Sequence, residues 1–84
     1  MKLKKPVDKE LKKIIERIDI NKKRIQLYNR GYKIFGKEKA FNVWLETAND
    51  MLNGVTPESL LISYEGIQNV NDELNRIEIE KNKN

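Results

Sequence analysis

The side chains that most often carry out chemistry in enzymes are scarce in this sequence. It has no histidine and no cysteine, which excludes Ser-His and Cys-His pairs, disulfides and the usual zinc sites. Asp72 and Glu73 are adjacent, so on a helix they point in different directions, and Glu78 and Glu80 are typical of a solvated surface. We therefore predict that the chain is not an enzyme and holds neither a metal nor a cofactor.

The basic residues are concentrated near the N-terminus. Residues 1–30 contain eleven Lys/Arg and four Asp/Glu, a net charge of +7, whereas residues 31–84 contain six and nine, a net charge of −3. Lys22, Lys23 and Arg24 are candidate nucleic-acid contacts because such side chains neutralise phosphates. The alternative is a solvated, lysine-rich helix face. A helix-turn-helix reader needs about three helices and residues 1–35 supply two at most, which disfavours sequence-specific DNA binding.

The elements that must position these residues begin with an amphipathic basic segment. After a tail of residues 1–7, Asp8 can cap a helix whose apolar residues recur at helical spacing, at Leu11, Ile14, Ile15 and Ile18. Asp19-Ile20-Asn21 then permits two interpretations. Either Asn21 caps a second helix, or one long helix continues with a heptad seam that would pair with a second copy, at positions 11, 14, 18, 21, 25, 28, 32 and 35.

The rest of the chain predicts further helices and no strand of useful length. Helices are expected over residues 22–35, 37–47 and about 67–79, and a short one begins at Thr56-Pro57. Thr56 is expected to cap that short helix, and Gly54 to adopt a positive φ in the turn before it. Gly66 is expected to separate the last two helices, and Ile25 and Tyr64 are among the predicted core residues. The prediction is a small all-α domain of four to five helices.

An ordered set of residues surrounds the two short helices between Trp44 and Ile77. In order, it comprises Trp44, Leu45, Asn49, Leu52, Gly54, Thr56, Pro57, Leu60, Leu61, Gly66, Val70, Leu74, Arg76 and Ile77, and Ile34-Phe35-Gly36 precedes it. This pattern resembles the toxin-binding domain of the Xre/MbcA/ParS antitoxin family. Most of these residues are expected to be structural, with the apolar ones in the core and Gly54 and Pro57 shaping the turn.

The resemblance implies a function and a partner. Antitoxins of this family commonly bind a toxin of the RES type, which uses NAD, and block its active site with the end of the last helix and the C-terminus. Carried onto this sequence, the resemblance divides the chain into a basic arm, residues 1–21, and a toxin-binding domain, residues 22–84. The predicted toxin-binding residues are Leu74, Asn75, Arg76, Ile77, Glu78, Glu80 and Lys81.

The sequence departs from the family pattern in two places. Arg76-Ile77-Glu78 continues into Ile79-Glu80 without the glycine that often follows, so the last helix is expected to run further. The helix-turn-helix domain that usually precedes the toxin-binding domain is expected to be absent. No apolar run follows the basic start, and none approaches the roughly 20 residues of a membrane span. We expect a cytoplasmic bacterial antitoxin without membrane contact, for which self-association and DNA binding remain open.

Overall fold

Three α-helices and two short 3-10 helices make up the structure, a computed structural model that describes residues 4–83, with side chains from Lys9 onward. In chain order the elements are α1 (Lys4–Phe35), α2 (Glu38–Leu45), 3-10 helices at Asp50–Leu52 and Pro57–Leu60, and α3 (Tyr64–Lys81). One isolated bridge joins Asn49 and Val55, and residues 4–83 contain no strand. The predicted all-α class is confirmed, and three α-helices with two 3-10 helices come close to the expected four to five helices.

Helix α1 is a single helix of 32 residues, which confirms the continuous helix, whereas its pairing with a second copy stays a prediction. Asp19, Ile20 and Asn21 continue the helix because the junction contains neither glycine nor proline. An aspartate or asparagine inside a helix costs only about 0.7 kcal/mol relative to alanine. The predicted cap at Asp8 is wrong, since the helix begins at Lys4. That start also shortens the predicted tail, of which residues 1–3 lie outside the described residues.

The core lies where the C-terminal half of α1 meets α2 and α3. Its buried apolar residues come from every helical segment: Leu27, Ile34, Phe41, Leu45, Leu52, Leu61, Ile67, Val70 and Leu74. Phe41 is fully buried and touches four other aromatic rings, at centroid distances of 5.5 to 5.9 Å: Tyr28, Tyr32, Phe35 and Trp44. Edge-on and offset contacts of this kind contribute beyond the area they bury, so this aromatic cluster fixes α2 against α1.

The turn between α2 and the second 3-10 helix is held by two capping side chains. Asn49 Oδ1 accepts a hydrogen bond from Met51 N at 2.8 Å, and its backbone carbonyl accepts from Gly54 N at 2.8 Å. Thr56 Oγ1 accepts from Ser59 N at 3.3 Å, which confirms the predicted cap. Gly54 has φ +80°, as predicted. These contacts orient Pro57 and Leu61 into the core.

Helix α3 starts earlier than the sequence predicted. Ser63 caps it by accepting a hydrogen bond from Gly66 N at 3.0 Å, and the helix runs from Tyr64 to Lys81. The expectation that Gly66 separates two helices is therefore wrong, because this glycine lies in the first turn of α3. A Cβ at position 66 would overlap the carbonyl oxygen of Leu60 and stand 2.8 Å from the carbonyl carbon. Glycine is needed here for close packing.

The molecule is elongated because the first half of α1 extends beyond the core. Its principal dimensions are 62 × 24 × 21 Å. Residues 9–18, the protruding segment, are all exposed, and packing begins near Ile20. Ile25 is 61% exposed, so its predicted place in the core is wrong. It lies on the side of α1 opposite Leu27, because side chains two positions apart in a helix point about 200° apart around its axis.

Within residues 4–83 no helix combines the length and the apolarity needed to cross a lipid bilayer.

Substituting Gly66 tests the close approach of α3 to Leu60. Gly66→Ala is expected to lower the free energy of unfolding by about 2–3 kcal/mol, since the added methyl group forces the backbone of Leu60 to move. In an open helix the same change would raise it by up to about 1 kcal/mol. Urea unfolding measures the sign directly. Gln68→Ala, at an exposed position of the same helix, is the control with an effect below about 0.5 kcal/mol. A stabilised Gly66→Ala variant would contradict the packing.

Candidate functional site

The C-terminal half of α3 has two polar flanks with different surroundings. Residues on one flank contact α1, and residues on the other lie beside the turn that contains the first 3-10 helix. Between the flanks, Val70 and Leu74 are fully buried and anchor the helix to the core. The two flanks therefore differ in what they leave accessible to a partner.

The first flank is fixed to α1 by Arg30. Its Nη1 donates to Asn71 Oδ1 at 3.2 Å, its Nη2 donates to Glu78 Oε1 at 3.0 Å, and Nη2 also donates to Asn75 Oδ1. The guanidinium thus spans about two turns of α3 with fixed donor geometry, which an ammonium group does not offer. Arg30 and Glu78 are 30% and 49% exposed, so the ion pair is only partly shielded from water.

A second contact joins the start of α3 to α1 on the same side. Tyr64 Oη donates a hydrogen bond to Asp19 Oδ2 at 2.8 Å. This hydrogen bond to a carboxylate raises the pKa of Tyr64, because it stabilises the protonated phenol, and the negative charge of Asp19 adds to the effect. Lys81 Nζ donates to the carbonyl oxygen of Ile34 at 2.6 Å at the other end of the helix. Three polar contacts thus hold α3 along its length.

The second flank carries Arg76 and the groove beside it. Glu73 is only 7% exposed and accepts two hydrogen bonds from Arg76 at 2.8 and 3.1 Å, from Nη2 and Nε. These hydrogen bonds and the charge of Glu73 raise the pKa of Arg76, so its positive charge is retained at any accessible pH. A buried carboxylate needs such a partner because desolvation of an unpaired charge is costly. The Arg76 side chain is still 47% exposed.

An apolar rim borders Arg76. The groove beside it is lined by the turn and by α3: Met51, Leu52, Asn53, Val55, Leu60, Asn69, Asp72, Glu73 and Arg76. Met51 is 61% exposed and Val55 is 41% exposed. Glu80 follows Arg76 by one helical turn and lies on the same side. We refer to Met51, Val55, Glu73, Arg76 and Glu80 as the Arg76 surface, which combines exposed apolar area with a fixed cation and two carboxylates.

The structure gives the predicted toxin-binding residues different surroundings. Leu74 is fully buried and Ile77 is half-buried against the core. Asn75 and Glu78 are exposed but bound to Arg30, and Lys81 is bound to Ile34. Arg76 and Glu80 are exposed on the other flank. As direct contacts for a partner, Arg76 and Glu80 are the best placed of the set, and their role stays a prediction.

Residues of the family pattern are distributed between the core and the turn. Leu45, Leu52, Leu61, Val70 and the two residues Pro57 and Gly66 are buried, whereas Trp44 and Leu60 are half-buried. Asn49, Gly54 and Thr56 shape the turn through the hydrogen bonds and the positive φ described above. Most residues of the family pattern therefore hold the Arg76 surface in position, and only Arg76 itself is part of that surface.

The three consecutive basic residues of α1 do not share one face. Lys22 and Lys23 are exposed and Arg24 is half-buried. Successive residues of a helix point about 100° apart, so the three side chains spread over about 200°. Such a spread is typical of a solvated helix and supplies no continuous strip for a phosphate backbone. DNA binding by these residues stays an untested prediction.

Sequence reasoning missed Met51, Val55 and Ile79 as accessible apolar residues near the predicted site. Ile79 is 64% exposed at the end of α3. The local sequence does not distinguish Met51 from its neighbour Leu52, because both are apolar residues between Asp50 and the Asn53-Gly54 turn and Leu52 is buried. Arg30 was grouped with the basic segment, and its long-range role in holding α3 has no local sequence signal.

Removing the Arg30 side chain tests how α3 is held. Arg30→Ala is expected to lower the free energy of unfolding by about 1–2 kcal/mol, because it leaves Asn71, Asn75 and Glu78 without their shared donor. Lys13→Ala, in the protruding segment, is the control for loss of an exposed cation and should change it by less than about 0.5 kcal/mol. Thermal unfolding followed by circular dichroism measures both. Equal effects in the two variants would contradict the role assigned to Arg30.

The profile of the family described as "Antitoxin Xre/MbcA/ParS C-terminal toxin-binding domain" matches residues 30–78, which is more than half of the chain. Neither the curated proteins nor the solved structures yielded a significant match. The matched range begins at Arg30 and ends at Glu78, the two ends of the polar contact between α1 and α3. The chain belongs to the Xre/MbcA/ParS family of antitoxin toxin-binding domains.

Proposed function

We propose that this chain is an antitoxin that neutralises a RES-type toxin, an enzyme that consumes NAD or transfers ADP-ribose, by blocking its active-site cleft. The end of α3 and the Arg76 surface form the blocking element. The observation that carries the proposal is the family match over residues 30–78. A non-enzymatic role follows from that family, and it is consistent with the lack of histidine and cysteine in the sequence.

The chemistry of the Arg76 surface suits a cleft that binds anions. A toxin that uses NAD must bind the pyrophosphate of that substrate, and the exposed carboxylate of Glu80 suits such an anion site. Arg76 suits carboxylates that line the cleft. Glu73 already holds one edge of the Arg76 guanidinium, which restricts the side chain before binding and lowers the entropic cost of docking it. Met51 and Val55 supply exposed apolar area beside the charge.

The rigidity of α3 supports a steric mechanism. Arg30, Asp19 and the Ile34 carbonyl hold the helix at three points, and Leu74 anchors its centre in the core. A helix held in this way keeps its last turn in a fixed position relative to the domain, where it can obstruct a cleft of the partner. The last turn carries Ile79 and Glu80, both exposed, so a partner can bind them without unfolding the domain. The predicted division at residue 21 lies within α1, two residues after Asp19, which already contacts α3, and the division stays a prediction.

Co-expression with the protein encoded next to this chain tests the proposal. The expected result is a stable complex, relief of growth arrest and, with purified proteins, loss of NAD turnover at equimolar antitoxin. Glu80→Lys should weaken the complex by roughly tenfold or more, because it reverses a charge at the centre of the contact. Glu65→Lys, an exposed site at the other end of α3, should leave the complex unchanged.

Truncation separates the blocking element from the folded domain. Deleting residues 79–84 removes the contact of Lys81 with Ile34 but retains Leu74, Ile77 and the Glu78 contact with Arg30. The helical circular dichroism signal should therefore persist while inhibition is lost. A complex that forms but leaves NAD turnover intact would contradict the blocking mechanism. Absence of both a complex and toxicity would contradict the antitoxin role itself.

A further inference from the structure

The protruding segment of α1 carries apolar side chains that the domain does not cover. Leu11, Ile14, Ile15 and Ile18 are 48% to 59% exposed, and Ile25 is 61% exposed. All five lie on the side of α1 that faces away from Leu27, since each is about 120° to 180° from Leu27 around the helix. An aliphatic stripe of this length is unusual on a solvated helix and is typical of a helix-pairing surface.

The stripe is part of a seam that the domain covers at one end only. Further along α1 the same heptad series continues with Tyr28, Tyr32 and Phe35, and these rings pack on Phe41 of α2. Among the described residues, α2 covers the heptad positions from Tyr28 onward. The seam from Leu11 to Ile25 has the same apolar character but lacks such a cover, so a second helix is the occupant it fits.

We propose that this seam pairs with the same seam of a second copy of the chain, with the two α1 helices antiparallel. The two-fold axis crosses α1 at the level of Glu16. Ile14 of each copy then meets Ile18 of the other, and the two Ile15 side chains meet beside them. Leu11 then faces Asn21 of the second copy, an unequal pair at the edge of the apolar contact, and Ile25 lies beyond that edge. This inference concerns α1 and does not depend on the toxin proposed above.

Charge complementarity selects the antiparallel arrangement. In heptad terms, Leu11, Ile18 and Ile25 occupy the first core position, and the flanking positions before them carry Glu10, Arg17 and Arg24. Antiparallel pairing about Glu16 sets Glu10 of each copy beside Arg24 of the other, which gives two opposite-charge pairs. One like-charge contact, between the two Arg17 side chains, lies near the axis, where long side chains can turn outward.

Parallel pairing is disfavoured on two grounds. It would set Arg17 of each copy beside Lys22 of the other, which gives two like-charge pairs and no compensating attraction. It would also bring both α2 helices to the same end of the pair, on the side of α1 that the seam uses. In the antiparallel pair the two domains lie at opposite ends. Glu10 and Arg24 are about 21 Å apart along the helix, and both precede Tyr28, where α2 begins to cover the seam.

Charge reversal in the full-length chain tests both the partner and the register. Sedimentation equilibrium should show a dimer for the natural sequence. Glu10→Arg alone and Arg24→Glu alone should each weaken it by roughly tenfold, and the variant with both changes should recover the natural affinity within about twofold. Glu65→Arg, on α3, is the control for added charge. A natural chain that stays monomeric, or a double variant no better than the single ones, would overturn the proposal.

Cysteine cross-linking gives a second, orientation-specific readout, because the chain has no native cysteine. Ile14→Cys and Ile18→Cys variants, mixed under reducing conditions and then oxidised, should form a disulfide-linked dimer, since these positions face each other. Each variant oxidised alone should stay unlinked, because its own positions are further apart than the roughly 7 Å that a disulfide spans between Cα atoms. Efficient linkage of either variant with itself would indicate parallel pairing and overturn the antiparallel assignment.

Discussion

The packing of Phe41 over Gly31 is the contact on which the domain depends. A Cβ at position 31 would overlap the Phe41 ring, so the absence of a side chain lets α2 approach the axis of α1. The ring is then surrounded by Tyr28, Tyr32, Phe35 and Trp44, and it is fully buried. In a chain of 84 residues the apolar core is small, so one such contact makes up a large part of the packing that stabilises the domain.

The position of α3 follows from this first contact. Once α1 and α2 are fixed, Leu27 and Ile34 offer a surface on which Val70 and Leu74 pack, and Gly66 allows the start of α3 to approach Leu60. Arg30 then reaches Asn71, Asn75 and Glu78 because both helices are already in place. The apolar contacts determine the arrangement, and the polar contacts fix the rotation of α3 about its own axis. That rotation decides which flank is occupied by α1 and which flank, with Arg76, remains accessible.

The two halves of the chain thus have different structural roles. The C-terminal half, together with the end of α1, forms the folded unit that the antitoxin family shares, over residues 30–78. The N-terminal half of α1 contributes little to that core and displays an apolar seam flanked by charges. A small domain gains stability from any partner that binds only its folded form, and the seam and the Arg76 surface are two separate places where this can happen.

The sequence alone determined the class of the fold, the family and much of the turn. Helical spacing of Ile67, Val70 and Leu74, the capping residue Thr56 and the glycine at position 54 act locally, and local effects can be read from neighbouring residues. Those predictions agree with the structure. The continuity of α1 could not be decided in this way, because Asp19 and Asn21 are compatible with both a helix interior and a helix start.

Only the tertiary structure decided the use of each polar and apolar side chain near the candidate site. Arg30, Asn75 and Glu78 are far apart in sequence, and nothing local shows that they meet. Ile25 and Tyr64 have the spacing of core residues, yet both are exposed. The side of α1 that carries Ile25 faces away from the domain, and Tyr64 reaches Asp19 of α1 at the margin of the core. Conversely, Glu73 is charged but buried, since Arg76 accompanies it on the same helix. Periodicity tells which residues share a face, whereas the position of the other helices decides whether that face is covered.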